Sequence, residues 1–354
     1  MHIQFSSYDL LFKKPFAIAH GVRTLTEAVY VEVHHENLIG YGEAAFPPYL
    51  IENRNSAIQF FEKINLSQFN SINDLDKILD YIFLIAENNF AAKAAVDIAL
   101  HDLYGKSKNK SLHQIFSESG IYPATNSPLL RRGAGGEVRM PLATYTIGMG
   151  SPKEIIEKLN DAKDFKLLKI KLGGPFDKMI IETVRQNTNQ QICVDANQGW
   201  TDEYFAVDMI AWLAEQNCLF VEQPLPKNEI QKQEYIFEKS MLPVFADEAC
   251  QTFNDIEKIK HCYHGINIKL MKCGGLREAK RMIERAKELN LKTLIGCMSE
   301  SSVGCSAAAQ LAPMVDYADL DGPLLISNDP FKGITFENGN LILNDEPGIG
   351  VRKN

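Results

Sequence analysis

The sequence FKLLKIKLGG, residues 165–174, has the pattern of a short β-strand that ends at a pair of glycines. Leu168 and Ile170 alternate with Lys169 and Lys171, so the two lysines share one face of the strand. Lysine is common on exposed edge strands, where it prevents pairing with other chains, and an isolated Lys-x-Lys favours that interpretation. The segments that follow favour a different one, because carboxylates recur at the ends of the next apolar runs.

From Met140 onward, short apolar segments alternate with amphipathic helical patterns at a period of about 25 residues. The predicted strands span 142–147, 166–171, 191–195, 219–222, 243–247, 265–269, 292–297 and 317–321. The predicted helices lie near 152–163, 176–187, 202–215, 228–239, 253–260, 275–289 and 300–311. Because seven strand-helix units and an eighth strand are clear, the pattern predicts an α/β fold, a modified TIM barrel of the (β/α)7β type.

Residues 1–121 have the pattern of a separate α+β module. Apolar residues alternate with polar ones around Val29, Val31 and Val33, as in an antiparallel sheet, and helical periods follow, the clearest at 90–104. That helix carries polar residues, among them Asp97, His101 and Asp102. They are either catalytic or, as we prefer, the polar edges of a packed helix.

The rest of the chain divides around the predicted barrel, residues 140–322. Residues 122–139 have two prolines, three glycines and no periodicity, which predicts an insertion or linker. In the tail, residues 323–354, Asn338-Gly339 stands between two apolar runs and predicts a β-hairpin. We expect this tail to return to the N-terminal module.

Composition excludes several classes of protein. No apolar run reaches the length of about 18 residues that a membrane span needs, and the start of the chain lacks the pattern of an export signal. The net charge is 37 − 45 = −8, and the basic residues are dispersed except at Arg131-Arg132, which argues against nucleic acid as a partner. Seven cysteines without a C-x-x-C pair suit a reducing cytoplasm. A small molecule is the expected partner.

Charged residues stand at the ends of successive predicted strands. They are Lys169, Lys171, Asp195, Glu222, Asp247, Lys269 and Asp321. In a parallel barrel the carboxyl ends of the strands converge on one mouth, so we expect these side chains to face one another. Taken singly, Asp195 would form a turn or cap, Glu222 would be solvated and Asp247 would begin a loop.

Three carboxylates at successive strand ends, without histidine or cysteine beside them, suit a hard cation, and Mg²⁺ is the natural candidate. Asn197, two residues beyond Asp195, is placed to support the ligand shell or a bound substrate. Lysines beside such a metal suit removal of a poorly acidic proton next to a carboxylate. Since Lys171 and Lys269 lie on predicted strands 2 and 6, one can take the proton and the other can return it to the opposite face. The expected outcome is inversion, by a racemase or an epimerase.

With these residues in place, the sequence resembles the enolase superfamily, specifically its muconate-lactonizing-enzyme subgroup and most closely the dipeptide epimerases. The matching segments are GYGE (40–43), AAVDIALHDLYGK (94–106), KIK (169–171), VDANQGW (194–200), VEQPL (221–225), ADEA (246–249), INIKLMKCGG (266–275), GCMSES (296–301) and DLDGP (319–323). The use of lysine bases with Mg²⁺ is a known pattern of this superfamily. The resemblance covers nearly the whole chain.

The resemblance implies a capping domain, completed by the C-terminal tail, over a (β/α)7β barrel. It implies one Mg²⁺ per subunit, held by Asp195, Glu222 and Asp247. Lys171 and Lys269 become the opposed acid/base pair, and Lys169 the positive charge that stabilises the enolate. It also implies a homo-oligomer and a place in the metabolism of peptidoglycan peptides.

The dipeptide-epimerase subclass rests on the D-x-D of Asp319 and Asp321, which in this family binds the α-ammonium group of the substrate. The alternative is that either aspartate caps the turn at Gly322-Pro323. The resemblance also places Cys297, Ser299 and Glu300 along this end of the pocket. Without the D-x-D function, o-succinylbenzoate synthase, muconate cycloisomerase or N-acylamino acid racemase activity is the alternative.

The substrate expected from the resemblance is an L-Ala-X dipeptide whose second residue is inverted. The resemblance places residues 19–24 in a loop over the active site, where Arg23 would suit a Glu side chain through bidentate pairing. His20 stands where some relatives carry a basic residue. Ala-Glu is therefore favoured, with a hydrophobic X as the alternative. A non-catalytic binding protein on the same fold is the remaining possibility.

Overall fold

The computed structural model describes residues 1–19, 21–47, 50–120, 131–133, 136–138 and 140–354. His20 and most of the predicted insertion at 122–139 lie outside the described residues. Within that insertion, β4 (Arg131–Gly133) and β5 (Gly136–Val138) pair antiparallel. The predicted domain boundaries at 121 and 139 stay predictions.

The N-terminal module begins with a three-stranded antiparallel sheet. Its strands are β1 (His2–Ile18), β2 (Gly21–His35) and β3 (Leu38–Phe46). Val29, Val31 and Val33 are all buried, as their alternation predicts. The prediction of a loop at 19–24 is wrong, because the ladder resumes after a register shift between Leu11 and Phe16 and pairs Arg23 with Phe16.

Helices cover one face of this sheet. They are α1 (Arg54–Phe61), α2 (Leu75–Leu84), α3 (Phe90–Ser107) and α4 (Leu112–Glu118), with 3₁₀ turns at Leu66–Gln68 and Ile72–Asp74. The central helix α3 approaches β3 so closely that a Cβ on Gly42 would lie 1.8 Å from the carbonyl oxygen of Ala95. Only glycine allows this contact between helix and strand.

Eight parallel strands close the barrel in chain order, with the last strand paired to the first. They are β6 (Leu142–Ile147), β7 (Leu167–Lys171), β8 (Gln191–Asp195), β9 (Cys218–Glu222), β10 (Val244–Ala246), β11 (Gly265–Lys269), β12 (Lys292–Gly296) and β13 (Tyr317–Asp319). The predicted α/β barrel is confirmed, and each predicted strand is found within two residues of its expected ends.

Helices surround the barrel. They are α5 (Pro152–Asp161), α6 (Asp177–Asn187), α7 (Glu203–Ala214), α8 (Ile230–Lys239), α9 (Ile256–Ile259), α10 (Leu270–Cys273), α11 (Leu276–Glu288), α12 (Ser302–Ala309) and α13 (Gly322–Leu325). The helix predicted at 253–260 is a 3₁₀ turn, Phe253–Asp255, followed by the single turn of α9. No helix in the described part of the chain is both long and apolar enough to cross a membrane.

The edge-strand interpretation of residues 165–174 is wrong. β7 lies between β6 and β8 in the closed barrel, which has no edge strands. Lys169 is only 2% exposed and Lys171 only 9%. Leu167, on the same face as both lysines, joins a buried cluster with Cys193, Phe220, Phe245 and Leu294. This cluster fills the barrel interior beneath the lysines.

The C-terminal tail contacts both parts of the molecule. Its strands are β14 (Phe331–Lys332), β15 (Thr335–Glu337), β16 (Asn340–Ile342) and β17 (Arg352–Lys353). The side chain of Tyr8 in β1 donates to the carbonyl of Asn328 at 2.7 Å, so the tail returns to the N-terminal sheet. The β15–β16 hairpin itself lies against the barrel, where the rings of Phe336 and Phe165 are 5.3 Å apart.

The polar residues of α3 have structural contacts. Asp97 accepts from the backbone N–H of Leu276 at 2.6 Å and so caps α11 of the barrel. Asp102 accepts from the backbone N–H groups of Tyr41 and Ile349 at 2.8 and 2.9 Å. His101 contacts Asp97, with its Nδ1 2.9 Å from the Asp97 carbonyl oxygen. These bonds tie α3 to the sheet, the barrel and the tail.

Candidate active site

The predicted site residues meet at the carboxyl ends of the barrel strands. Lys171, Asp195 and Glu222 are neighbours in register across β7, β8 and β9. On the other side of the barrel, Lys269 and Asp319 flank Gly296 in register across β11, β12 and β13. In a parallel barrel the carboxyl ends of all strands meet at one mouth, so these two rows face each other across it.

Asp195, Glu222 and Asp247 form a compact group of carboxylates. Each offers an oxygen that lies within 4.8 Å of the other two. Asp195 and Glu222 are fully buried and Asp247 is only 2% exposed. Three buried carboxylates at this distance repel one another unless positive charge lies between or beside them.

One oxygen of each carboxylate is held by a donor of the chain. These pairs are Asp195 Oδ1 with the backbone N–H of Asn197 at 2.9 Å, Glu222 Oε1 with Asn267 Nδ2 at 2.7 Å, and Asp247 Oδ1 with Lys272 Nζ at 2.6 Å. Each bond fixes the orientation of its carboxylate. The second oxygen of each carboxylate is left to face the other two residues.

The three predicted lysines contact those second oxygens. Lys171 Nζ lies 2.6 Å from Asp195 Oδ2, and Lys269 Nζ lies 2.7 Å from Asp247 Oδ2. Lys169 Nζ lies 2.8 Å from Glu222 Oε2 and 3.2 Å from Asp195 Oδ2. The lysines therefore contact the oxygens of Asp195, Glu222 and Asp247 that are not bound by Asn197, Asn267 or Lys272.

The pKa values of the carboxylates follow from burial and from these contacts. Burial alone would raise the pKa of Asp195, but the ammonium groups of Lys171 and Lys169 outweigh burial and lower it to about 2. Burial likewise opposes ionisation of Asp247, yet Lys269 and Lys272 hold its pKa below the usual range. Burial and the charge of Asp195 together raise the pKa of Glu222 to about 7. Further positive charge beside Glu222 would favour its ionised form.

The donor set fits Mg²⁺. All three side chains supply oxygen, and the group contains neither histidine nor cysteine, which zinc would prefer. The oxygens are close enough to share one small ion, and each carboxylate is already held by its other oxygen. Asp195, Glu222 and Asp247 are thus the residues that could hold the metal. Among the described residues no other such group of carboxylate, histidine or cysteine ligands is found.

Lys169 differs from the two other lysines in its surroundings. Burial would lower its pKa, but the carboxylates of Asp319, Glu222 and Asp195 outweigh burial and raise it well above the usual value. Its Nζ lies 2.8 Å from both Asp319 Oδ2 and Glu222 Oε2. A lysine in this environment stays protonated and is suited to a fixed positive charge.

The two aspartates of the D-x-D have different contacts. Asp319 Oδ1 accepts from the hydroxyl of Thr144 at 2.5 Å, and its Oδ2 is paired with Lys169. Asp321 Oδ2 accepts from the backbone N–H of Thr146 at 2.5 Å. The Asp321 side chain makes no capping bond to α13, so the alternative of a turn cap does not describe it.

The charges of these aspartates also differ. Burial opposes ionisation of Asp319, but Lys169 and Lys171 lower its pKa. Burial and the neighbouring charge of Asp319 raise the pKa of Asp321 to about 7. An ammonium group beside Asp321 would favour its ionised form and would itself be bound by that charge.

A cavity opens between the two rows of the site. Beyond the lysines and aspartates it is lined by Phe16, Ile18, Arg23, Thr146, Asn197, Cys297, Met298, Ser299 and Leu325. Arg23 reaches in from β2, with Nη2 3.3 Å from Ser299 Oγ. Its guanidinium carbon lies 5.6 and 5.8 Å from the ring centroids of Phe12 and Phe16. Beside Arg23 the cavity wall is partly apolar, since Phe16, Ile18 and Leu325 also line it.

The remaining predicted substrate residues are distributed as follows. Asn197 is 6% exposed and lines the cavity together with Cys297 and Ser299. Glu300 is 1% exposed and lies behind this wall, where its Oε1 accepts from the backbone N–H of Met298 at 2.7 Å. His20 lies outside the described residues.

Four contacting residues were not predicted from the sequence, namely Thr144, Thr146, Asn267 and Lys272. Asn267 had a detectable signal, because it stands two residues before Lys269 and so shares its face of β11. Thr144 and Thr146 alternate in the same way on β6. Lys272 lies beyond the strand in α10, where no alternation applies.

Both parts of the chain match family models. Residues 153–354 match the model described as "Enolase C-terminal domain-like", and residues 5–116 match "Mandelate racemase / muconate lactonizing enzyme, N-terminal domain". Among curated relatives, the L-Ala-D/L-Glu epimerase of Bacteroides thetaiotaomicron is 44% identical over 354 residues, which cover 100% of this chain and 88% of the relative.

Solved structures of related enzymes share the fold. The substrate-liganded complex of the L-Ala-D/L-Glu epimerase from Bacillus subtilis has a TM-score of 0.87 and 26% identity, covering 99% of this chain and 98% of that one. The dipeptide epimerase from Enterococcus faecalis V583, complexed with Mg and the dipeptide L-Leu-L-Tyr, has a TM-score of 0.85 and 27% identity, with coverage of 99% and 98%. The chain therefore belongs to the enolase superfamily, in the branch of mandelate racemase and muconate lactonizing enzyme, and is an isomerase.

Proposed function

We propose that this protein is a Mg²⁺-dependent dipeptide epimerase that inverts the α-carbon of the second residue of an L-Ala-X dipeptide. One observation carries the proposal. Lys171 and Lys269 stand on β7 and β11, which are four strands apart in a ring of eight, and the carboxylate group lies between them. Two lysines on opposite sides of one binding position suit proton transfer at both faces of a carbon.

Each lysine acts on one face of the α-carbon. The neutral amine of one lysine takes the α-proton, and the ammonium of the other donates a proton to the opposite face, which inverts the centre. When the other epimer is bound, the two lysines exchange these roles. Lys169, which stays protonated, stabilises the negative charge that develops on the substrate carboxylate in the enediolate.

Bound Mg²⁺ would supply further positive charge at the substrate carboxylate and so make the α-proton more acidic. Asp195, Glu222 and Asp247 would hold the ion through their inward oxygens, the ones that face Lys171, Lys169 and Lys269. The complex of the Enterococcus faecalis relative with Mg and a dipeptide supports this part of the proposal.

Asp319 and Asp321 support a substrate with a free α-ammonium group. Both are buried at the cavity wall, and one oxygen of Asp321 is held by the backbone N–H of Thr146. Asp319 is already paired with Lys169, and the ammonium group of a dipeptide would bring a further positive charge to Asp321. An N-acylated amino acid or a muconate brings none, so it would leave the second carboxylate without compensation.

The second residue of the dipeptide is proposed to be Glu. Arg23 and Ser299 offer donors to a side-chain carboxylate, and the guanidinium is steadied by the rings of Phe12 and Phe16. The 44% identity to an L-Ala-D/L-Glu epimerase supports the same choice. The apolar residues Phe16, Ile18 and Leu325 would also accept a hydrophobic side chain, which is the second candidate.

The test is solvent exchange with a set of L-Ala-X dipeptides. In D₂O with Mg²⁺, L-Ala-L-Glu is expected to take up deuterium at the second α-carbon and to yield L-Ala-D-Glu, as followed by proton NMR. Chelation of the metal is expected to stop the exchange. Exchange restricted to hydrophobic X would overturn the Glu assignment. Turnover of N-acylamino acids but not of dipeptides would overturn the dipeptide assignment.

Three sequence predictions join this proposal. We propose that the enzyme acts in the cytoplasm, on peptides derived from peptidoglycan, and that it is a homo-oligomer. Light scattering behind size exclusion measures the oligomer directly, and a mass near the 39.8 kDa of one chain would contradict the homo-oligomer.

A further inference from the structure

Lys272 is a buried lysine that the proposed reaction does not use. It lies in α10, three residues beyond Lys269, and is only 4% exposed. The residues that line the cavity do not include it. A lysine buried to this degree requires a specific set of partners, because an uncompensated ammonium in the protein interior is strongly unfavourable.

Four oxygens surround the Lys272 ammonium. Two belong to Asp247, namely Oδ1 and the carbonyl oxygen, both at 2.6 Å. The other two are the carbonyl oxygens of Asn267 at 2.9 Å and Cys250 at 3.1 Å. Lys272 thereby joins the end of β10, the turn after it and strand β11.

The contact with Asp247 leaves only one of its carboxylate oxygens directed into the site. Oδ1 is bound by Lys272, whereas Oδ2 faces Lys269 at 2.7 Å. Because Lys272 also binds the carbonyl oxygen of the same residue, it restrains both the backbone and the side chain of Asp247. These two contacts hold the Asp247 carboxylate toward the position shared with Asp195 and Glu222.

We infer that Lys272 is a positioning residue for Mg²⁺ binding, which it supports by fixing the orientation of the Asp247 carboxylate. The inference rests on the proposed function, since it assumes that the three carboxylates hold the ion. Partners that orient metal ligands typically contribute about tenfold to a hundredfold in metal affinity. Loss of the Lys272 ammonium is therefore expected to weaken Mg²⁺ binding by a factor in that range.

A purely structural role for Lys272 predicts a different result. If the lysine only ties the turn after β10 to β11, its removal lowers stability but leaves the affinity for Mg²⁺ unchanged. Lys93 provides a matched control, because it is also buried, at 2% exposure, and its Nζ contacts the backbone oxygens of Ala86 and Glu87. Lys93 lies in the N-terminal module and has no contact with the carboxylate group among its described hydrogen bonds.

The experiment is calorimetric titration of the full-length protein with MgCl₂ after chelation, with Lys272→Met, Lys93→Met and the unmodified chain in parallel. We expect the Kd for Mg²⁺ to rise about tenfold to a hundredfold in Lys272→Met and to stay within twofold in Lys93→Met. At Mg²⁺ concentrations above the raised Kd, Lys272→Met is expected to recover most of the deuterium exchange of the unmodified chain.

The outcomes separate the inference from the proposed function. If Mg²⁺ binds the unmodified chain saturably and binds Lys272→Met with the same Kd, the proposed role of Lys272 is overturned. No saturable binding to the unmodified chain would overturn the proposed Mg²⁺ site itself. If Lys272→Met does not fold, Lys272→Ala replaces it, since alanine also removes every side-chain N–H donor and leaves room for water at the freed oxygens. A Kd within twofold of the unmodified chain in that variant would equally overturn the inference.

Discussion

At the scale of single residues, the aspartates of the D-x-D are distinguished by what already binds them. Asp319 is engaged by Lys169 and Thr144, whereas Asp321 has one oxygen on the backbone N–H of Thr146. Asp321 is therefore better placed to bind a substrate ammonium group. Asp319 has a second role, because its carboxylate compensates the positive charge of Lys169. Substitutions at the two positions should affect different kinetic constants.

Asp321→Asn is expected to raise KM for L-Ala-L-Glu about tenfold to a hundredfold, because a hydrogen bond between charged groups contributes about 1.5–3 kcal/mol. Its kcat should change little. Asp319→Asn is expected to lower kcat as well, since Lys169 loses one of its carboxylate partners. Steady-state kinetics of both variants measure this difference, and identical changes in kcat and KM would contradict it.

Arg23→Met is expected to change the choice of the second residue. Loss of the guanidinium should lower kcat/KM for L-Ala-L-Glu by about tenfold to a hundredfold, through the lost charged hydrogen bonds. The kcat/KM for L-Ala-L-Leu, whose side chain makes no such bonds, should change little or rise. Competition between the two dipeptides in one reaction gives the ratio directly. An equal fall for both would show that Arg23 is not the specificity determinant.

These residues differ in how far the sequence could predict them. Lys169, Lys171 and Asp195 follow from alternation and from the position of the strand ends, which a barrel brings together. Lys272 does not, because three of its four oxygen partners are backbone carbonyls and one of them, on Cys250, is 22 residues away in the sequence. Backbone partners of this kind have no signature in side-chain patterns.

At the scale of the elements, the N-terminal module reaches into the barrel through carboxylates that cap barrel helices. Glu43 of β3 accepts from the backbone N–H groups of Ser301 and Gly304, both at 2.9 Å, at the start of α12. The residues just before α12 line the cavity, among them Ser299. Glu43 thereby links the sheet of the module to one wall of the candidate active site.

Glu43 provides a prediction about pH. Burial raises the pKa of its carboxyl from 4.5 to about 7. Between pH 4.5 and about 7 the folded state therefore keeps a proton on Glu43 that the unfolded state has lost. Because of this difference, the free energy of unfolding falls as pH rises from about 5 to 7. The whole effect amounts to about 3 kcal/mol by the usual conversion. Glu43→Gln, which does not ionise, should lack this loss.

The measurement is urea unfolding of the two chains between pH 5 and 8. Asp329 and Glu300 are present in both chains, but the charge of Glu43 contributes to the raised pKa of Glu300, so the difference between the curves reports Glu43 together with its coupling to Glu300. As pH rises, the free energy of unfolding of the unmodified chain is expected to fall relative to that of Glu43→Gln. The difference between the two chains should become constant above about pH 8. Parallel curves would show that the Glu43 pKa is not raised.

Strands and helices were predicted from the sequence more fully than the connections between them. The barrel strands were predicted to within two residues, because each is an apolar run bounded by glycine or polar residues. The loop predicted at 19–24 rested on the family resemblance, whereas the ladder of β1 and β2 resumes at Phe16 after a register shift and pairs Ile18 with Gly21. The position of the β15–β16 hairpin on the barrel depends on contacts such as Phe336 with Phe165, which alternation within the tail does not reveal.

Gly296 illustrates a further limit of local patterns. A Cβ on this residue would lie 2.4 Å from Asn267 Oδ1, so glycine on β12 leaves space for the side chain that binds Glu222. In the sequence, Gly296 resembles any glycine at the end of a strand. Its function depends on the neighbouring strand and is apparent only in the folded barrel.

At the scale of the whole molecule, the barrel interior concentrates ionised groups that an apolar core would exclude. The lysines at 169, 171, 269 and 272 meet the carboxylates of Asp195, Glu222, Asp247 and Asp319. Asp321 adds a further carboxylate beside Asp319, as its raised pKa reflects. A divalent cation would therefore stabilise the folded chain and bind poorly to the unfolded one.

Mg²⁺ is accordingly expected to stabilise the protein. At a concentration one hundred times its Kd, an ion that binds only the folded state adds about 2.7 kcal/mol to the free energy of unfolding. Thermal unfolding with and without a chelator should show a higher Tm in Mg²⁺, and Asp195→Asn should abolish the increase. The same increase in Asp195→Asn would place the ion elsewhere.

The central feature of the proposed mechanism is one lysine base for each face of the α-carbon. The direct measurement is α-deuteration of L-Ala-L-Glu and of L-Ala-D-Glu in D₂O, each with Lys171→Ala and with Lys269→Ala. We predict that each variant still exchanges the α-proton of one epimer and not of the other, and that the surviving epimer differs between the two variants. Equal loss of exchange for both epimers in either variant would contradict the two-lysine mechanism.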